Sequence, residues 1–383
     1  MDSITRKVSL AIAGIFLLAG SALAQNTIKI GVITDKIGPA KPYAEPVLQG
    51  VEFGAREINA RGGVLGRKIE LLVEDDQGKP DVSATMARKL VDAGAVFILS
   101  ISLTPATQQA QTVSLQTKTP HLTPSNSGDT LTTQVDNPYF WQTGPLGSIQ
   151  IATLLSYARV KNYKRVALVT DNSDLGQLIA RFFKGALQKA GIEVVVEEVV
   201  PRGATSAEAQ MQKVRAANPQ AIFSAGVLTP ENVLMLKAYR QLGIKAPILA
   251  SYNFSVPVYM AVGAGLLDGV TFVDAYDLDK PEARRFVQAY SKATNTEPYN
   301  LHGYGYDGMY LVADAIKRAG SATDKEKIRA AMQATRNFIG VIGAKGTGYT
   351  FPPGKRTGFD PQGMVVRVYE GDRQGRVVHI GQK

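Results

Sequence analysis

Apolar residues recur along this chain in two alternating rhythms. Short runs such as 28–34, 69–73, 96–102 and 120–123 are dense in Ile, Val and Leu, as strands buried on both faces of a sheet are. Between them, apolar positions return every three or four residues, as at Val47, Val51, Ala55 and Ile58, which is the spacing of one helix face. Gly62-Gly63 closes that helix, and Asp81 reads as the cap of the next, which runs to Ala93.

The same alternation restarts after Pro145. It predicts helices over 149–160, 175–190, 206–217 and 231–242, and strands over 166–170, 193–200, 221–225, 247–250 and 270–273. Helices over 282–292, 306–319 and 324–334 follow, then a Gly/Pro-rich tail with one late strand at 364–369. Strict β-α alternation predicts an α/β fold with mainly parallel sheets covered by helices on both faces.

Residues 1–24 stand outside this pattern. Arg6 and Lys7 precede an apolar run over 8–19, and Ala22-Leu23-Ala24 has the small-x-small form of a cleavage site. That is a secretory signal peptide, so the mature chain is expected to start near Gln25 and work outside the cytoplasm, in the periplasm. With zero cysteines among 383 residues, disulfides, thiolate metal sites and Cys nucleophiles are excluded. The formal charge of +10 is spread along the chain and is compatible with anionic ligands. No basic run carries interleaved aromatics, which argues against nucleic acid.

Candidate chemistry concentrates in 96–129. The strand over 96–102 and the strand over 120–123 each end in hydroxyls: Ser102 and Thr104 after the first, Ser125 and Ser127, with Asn126, after the second. Thr104 before Pro105 reads as a helix N-cap with Pro at the first helical position. A hydroxyl beside free helix N-terminal amides suits an anion, and open parallel sheets bind ligands at these strand ends. The residues alone leave two readings open: an anion site, or ordinary caps.

Enzyme and cofactor motifs are weak. Gly303-x-Gly305-x-x-Gly308 follows no strand, as a dinucleotide fingerprint must. His121, His302 and His379 share no metal spacing, no G-x-S-x-G elbow occurs, and Asp75-Asp76 fits a turn better than a metal pair. No catalytic set, metal or cofactor is expected.

Several segments together resemble one family. These are IGVITD at 30–35, INARGGVLGRKIELLVEDDQGKP at 58–80, ARKLVD at 87–92, the hydroxyl loop after Ser102, the TP before Ser125 and ALVTDNSDLG at 167–176. The chain resembles type I periplasmic solute-binding proteins of the Leu/Ile/Val-binding family, which serve ABC importers, over essentially its whole mature length.

That resemblance implies two α/β lobes joined by three crossings near Pro145, Asp277 and Pro352. One lobe would take 25–145 plus 277–352, and the other 146–276 plus 353–383. It also implies a carboxylate anchor at Thr104, Ser125 and Ser127 and an aromatic cover at Tyr43. Three family positions in the second lobe depart from pattern: Leu175 and Leu228 stand where tyrosines are usual, and Tyr252 where an acid meets the ligand's ammonium. The expected ligand is therefore a small carboxylate, by preference an aromatic or apolar acid held between Tyr43 and Tyr252. A branched-chain or other amino acid is the alternative, with Asp277 or Asp307 as substitute acid. The expected partner is an inner-membrane ABC permease, and the protein is expected to be a monomer. A cytoplasmic ligand-sensing regulator on the same fold is disfavoured by the leader. Trp141, just before Pro145, is positioned to report lobe closure.

Overall fold

The computed structural model describes residues 27–225, 229–255 and 262–381. Two sheets organise it. The first is built from β1 (Thr27–Thr34), β2 (Lys68–Asp75), β3 (Phe97–Ile101), β4 (His121–Thr123) and β5 (Phe140–Gln142), in the order β2-β1-β3-β4-β5. All its neighbours are parallel. Helices α1 (Lys41–Ala60), α2 (Pro80–Asp92) and α3 (Thr104–Gln116) form its crossovers.

The second sheet contains β6 (Arg165–Asp171), β7 (Glu193–Val200), β8 (Ala221–Ser224), β9 (Ile248–Ala250), β10 (Thr271–Asp274), β11 (Val365–Glu370) and β12 (Arg373–Ile380). Its order is β12-β11-β10-β9-β8-β6-β7. Helices α4 (Gly147–Val160), α5 (Asp174–Lys189), α6 (Glu208–Ala217) and α7 (Thr229–Gln241) belong to this stretch of chain. Helices α8 (Pro281–Thr294), α9 (Asn300–Ala319) and α10 (Lys325–Gln333) follow β10. The α/β class with mainly parallel sheets is as the alternation predicts; the exception is the antiparallel β10-β11-β12 edge.

Some local expectations fail. Thr104 is not a cap: Leu103 occupies the N-cap position of α3, and the Thr104 hydroxyl is spent elsewhere. Asp81 lies inside the first turn of α2 behind Lys79, so it favours the helix dipole instead of capping an amide. Strands β5 and β12 were not expected. The first has only three residues, and the second is an edge strand whose Arg373 and Ile380 face solvent, so neither has a strong apolar period.

The predicted helix over 306–319 begins six residues earlier, at Asn300, which places the glycine motif inside α9. There the glycines serve packing. A Cβ on Gly305 would lie 1.9 Å from the Val47 carbonyl oxygen, and one on Gly50 would lie 1.9 Å from that of His302. Helices α1 and α9 therefore touch backbone to backbone, beside a ring cluster in which Phe53 meets Tyr290 at 5.0 Å and Tyr306 at 5.9 Å. A helix that begins 240 residues after the end of α1 is thus locked onto the first sheet's layer.

Candidate functional site

The loops leaving β1, β3 and β4 in one sheet, and β6, β7 and β9 in the other, converge on one cleft of about 460 Å³. The size is that of a small-molecule site. Every contributing strand delivers its loop from its C-terminal end, where parallel sheets leave a crevice.

From the first sheet the cleft receives Tyr43 on the first turn of α1, then Ser102 and Thr104 after β3, and Ser125, Asn126 and Ser127 after β4. From the second it receives Ser173, Arg202 and Tyr252. Seven residues singled out in the sequence are thus brought together: Tyr43, Ser102, Thr104, Ser125, Asn126, Ser127 and Tyr252. Leu228 lies outside the described residues, and the side chain of Leu175, within α5, lies outside them too. Ser173, Arg202 and Leu301 were missed. Arg202 stands two residues beyond the end of β7, so the strand-end rule that picked out Ser102 and Ser125 would have found it.

A hydrogen-bond net sets the hydroxyl loops. The Thr104 hydroxyl donates to Asn126 Oδ1 at 2.9 Å, and Asn126 Nδ2 donates to the Ser102 carbonyl at 3.1 Å. Gln142, at the end of β5, donates to the Asn126 carbonyl at 2.8 Å. Gln150 of α4 donates to Ser127 Oγ at 3.0 Å. Behind the loops, Thr123 Oγ1 donates to the Ser100 carbonyl at 3.0 Å, and the buried His121 ring meets Ser100 Oγ at 2.7 Å. The loops are therefore positioned before any ligand arrives, which lowers the ordering cost of binding.

Donor capacity differs among the candidates. Thr104 already donates its hydroxyl hydrogen bond to Asn126. Ser127 accepts from Gln150 and keeps its own proton to offer. The Ser102 hydroxyl is buried near the Asp76 carboxyl without a hydrogen bond of ordinary geometry. Burial pushes the Asp76 carboxyl up, against the opposing pull of Ser102 and the Gly78 amide. The Tyr43 and Tyr252 phenols are both pushed up, first by burial, so each stays a neutral donor.

Beneath Tyr252 lies a buried polar cluster. Tyr252 and Tyr304 have ring centroids 6.3 Å apart. Asp274 meets Arg367 at 3.3 Å and accepts from Asn300 Nδ2 at 2.9 Å, while the same Asn300 amide reaches Ser255 Oγ at 2.8 Å. Asp307 accepts from the Val341 and Ile342 amides at 2.7 and 2.9 Å and from the Tyr349 hydroxyl at 3.0 Å. Asp277 accepts from the Asp279 and Lys345 amides, both at 2.9 Å. Neither carboxylate lines the cleft, so neither serves as the substitute acid. Among the described residues no cluster of His, Cys, Asp or Glu suits a metal ion.

Comparison with known proteins agrees with this geometry. The chain matches a family model described as periplasmic binding protein over residues 27–364. It is 27% identical over 330 residues to the Leu/Ile/Val-binding protein BraC3 of Rhizobium johnstonii, covering 85% of this chain and 89% of that one. It is 28% identical over 331 residues to the leucine-, isoleucine-, valine-, threonine-, and alanine-binding protein of Pseudomonas aeruginosa, covering 85% and 86%. Its fold is that of LivJ from Streptococcus pneumoniae, a branched-chain amino acid transporter substrate-binding protein solved in complex with isoleucine. The TM-score is 0.77 at 24% identity, with 92% of this chain and 99% of that one covered. A sequence match of this extent, joined to a cleft fed by the strand ends of two α/β sheets, places the chain in the periplasmic binding protein family, as a substrate-binding protein and not an enzyme.

Proposed function

We propose that this chain is the extracytoplasmic ligand-capturing component of an ABC importer, and that its ligand is a small carboxylate of the amino-acid class. The observation that carries the reading is the meeting of the hydroxyl loops after β3 and β4 with Tyr43 in one cleft, opposite Ser173, Arg202 and Tyr252. The carboxylate rests on the first-sheet side, where Ser125 and Ser127 supply donors. The lobes are 25–145 plus 277–352 and 146–276 plus 353–383, and they close on the ligand as a hinged pair. The closed form is what an inner-membrane permease receives from the monomer.

The relatives named for leucine, isoleucine and valine support an amino acid over the aromatic acid that the sequence favoured. One observation keeps a second reading: no Asp or Glu is among the described residues lining the cleft, and an unpaired buried ammonium costs several kcal/mol. A carboxylate without the amino group fits that lining. The deciding experiment is a side-by-side calorimetric titration of leucine, phenylalanine, their des-amino analogues, and benzoate- and cinnamate-like acids. Tight binding of the amino acids alone selects the first reading, and the opposite order selects the second. Failure of every carboxylate sinks both.

A further inference from the structure

The cleft has a cation that the anchor does not use. We infer that the ligand bears a second anionic group and that Arg202 receives it, an inference that rests on the cleft being a carboxylate-capture site.

Arg202 leaves the end of the edge strand β7, and its backbone amide donates to Asn172 Oδ1 at 2.8 Å. Asn172 directly precedes Ser173, whose side chain caps α5 by accepting from the Gly176 amide at 3.0 Å. One hydrogen bond therefore ties the loop after β7 to the loop after β6, and both Arg202 and Ser173 line the cleft. The side chain is exposed, and among the described residues its guanidinium has neither an ion pair nor a hydrogen bond. Arg367, by contrast, is buried against Asp274 at 3.3 Å. Glu231, next to this loop, directs Oε1 to the Gly203 amide at 3.2 Å.

The charge balance of the cleft follows. Its described lining contains no Asp, Glu, Lys or His, so Arg202 is its one formal charge. A monocarboxylate anchored at the hydroxyl loops leaves that charge without a partner. A guanidinium offers a planar fork of donors that fits a carboxylate with two parallel hydrogen bonds. The ligand class that satisfies both ends is a small dicarboxylate, with or without an α-ammonium.

The test is calorimetric titration of the full mature chain and of Arg202→Gln with length-matched pairs: glutarate against pentanoate, and glutamate against norvaline. The first pair lacks the ammonium and the second carries it. A charge-assisted pair of this kind is expected to make the dianion bind about ten- to a hundredfold tighter than its partner. Arg202→Gln should erase that preference, and Arg202→Lys should restore part of it. Equal affinity for the two members of both pairs, or an unchanged preference in Arg202→Gln, overturns the inference even where norvaline or pentanoate binds well. If no carboxylate binds at all, the capture reading falls and this one falls with it.

Discussion

The Thr104 hydroxyl donates to Asn126 Oδ1 at 2.9 Å, so the loop after β3 is fastened to the loop after β4 across the floor of the cleft. Asn126 also accepts from the Gly128 amide at 2.9 Å and donates to the Ser102 carbonyl at 3.1 Å, so it is a spacer more than a ligand donor. Each such bond contributes about 1 kcal/mol net. Asn126→Ala is therefore expected to lower thermal stability and ligand affinity together. Ser125→Ala should leave the unfolding midpoint in place, Ser127→Ala should lower it slightly by removing the acceptor of Gln150, and both should weaken binding by about ten- to a hundredfold, the loss expected for a bond to a charged group. Calorimetry paired with thermal unfolding checks this; unchanged affinity in both serine variants would reduce them to loop structure.

The contact between α1 and α9 predicts a pure stability defect. A methyl at Gly305 meets the Val47 carbonyl, which is backbone and cannot swing away. Gly305→Ala should cost about 1–3 kcal/mol or more through overpacking. Chemical denaturation would read it as a lower midpoint at unchanged slope. An unaltered midpoint would show that the two helices slide apart freely.

Buried titratable groups predict a pH dependence with two opposed parts. Burial pushes His121 down from 6.5 to about 3 and His302 down to about 4. The unfolded chain takes up protons below pH 6.5 that the folded chain refuses, so this contribution is present above 6.5 and is lost as pH falls towards 3. Burial pushes Asp307 up from 3.8 to about 6, so its contribution is present below 3.8 and is lost as pH rises through 6. Denaturation midpoints between pH 3 and 7 should show the deficit of His121→Asn shrinking with acid, and that of Asp307→Asn shrinking with base. A deficit independent of pH in both variants would contradict the assignment.

Trp141 is fully buried in β5, where Nε1 donates to Gln333 Oε1 at 3.1 Å and the ring lies edge-on to Phe351 at 6.4 Å. All three residues fall in the same proposed lobe, so the indole is a poor reporter of closure despite its place in the sequence. Saturating ligand should reduce the radius of gyration in small-angle scattering while tryptophan emission changes little. An unchanged radius would remove the hinge from the mechanism.

Residues 1–24 lie outside the described structure, and their pattern yields a separate expectation. The short apolar core ending at Ala24 should be cut before Gln25 on export. Mass spectrometry of periplasmic protein would find that terminus; an intact Met1 in a cytoplasmic fraction would refute it.

The sequence by itself determined what is periodic or local. Buried runs such as β3 and β6 and the three-to-four spacing of α1 are written residue by residue, because burial on two faces or on one stripe needs nothing beyond neighbours in the chain. The hydroxyl loops at Ser102 and Ser125 were legible for the same reason, since strand ends of parallel sheets are where ligands sit. Tertiary structure decided the rest. Thr104 looks like a cap until Asn126, 22 residues away, is seen to accept its hydrogen bond. The glycines at 303, 305 and 308 are a motif without a strand in the sequence; the fold shows their use, Gly305 against the α1 backbone, Gly303 against Ile342 and Gly308 against Pro124. Asp307 is a free acid in the sequence and a saturated acceptor for Val341 and Ile342 in the fold. Arg202 is within reach of the strand-end rule, but only the bond from its amide to Asn172 and the meeting of the loops after β6 and β7 show that it lines the cleft. In each case the deciding partner is distant in the chain, and a hydrogen bond or a steric contact has no periodicity from which to read it.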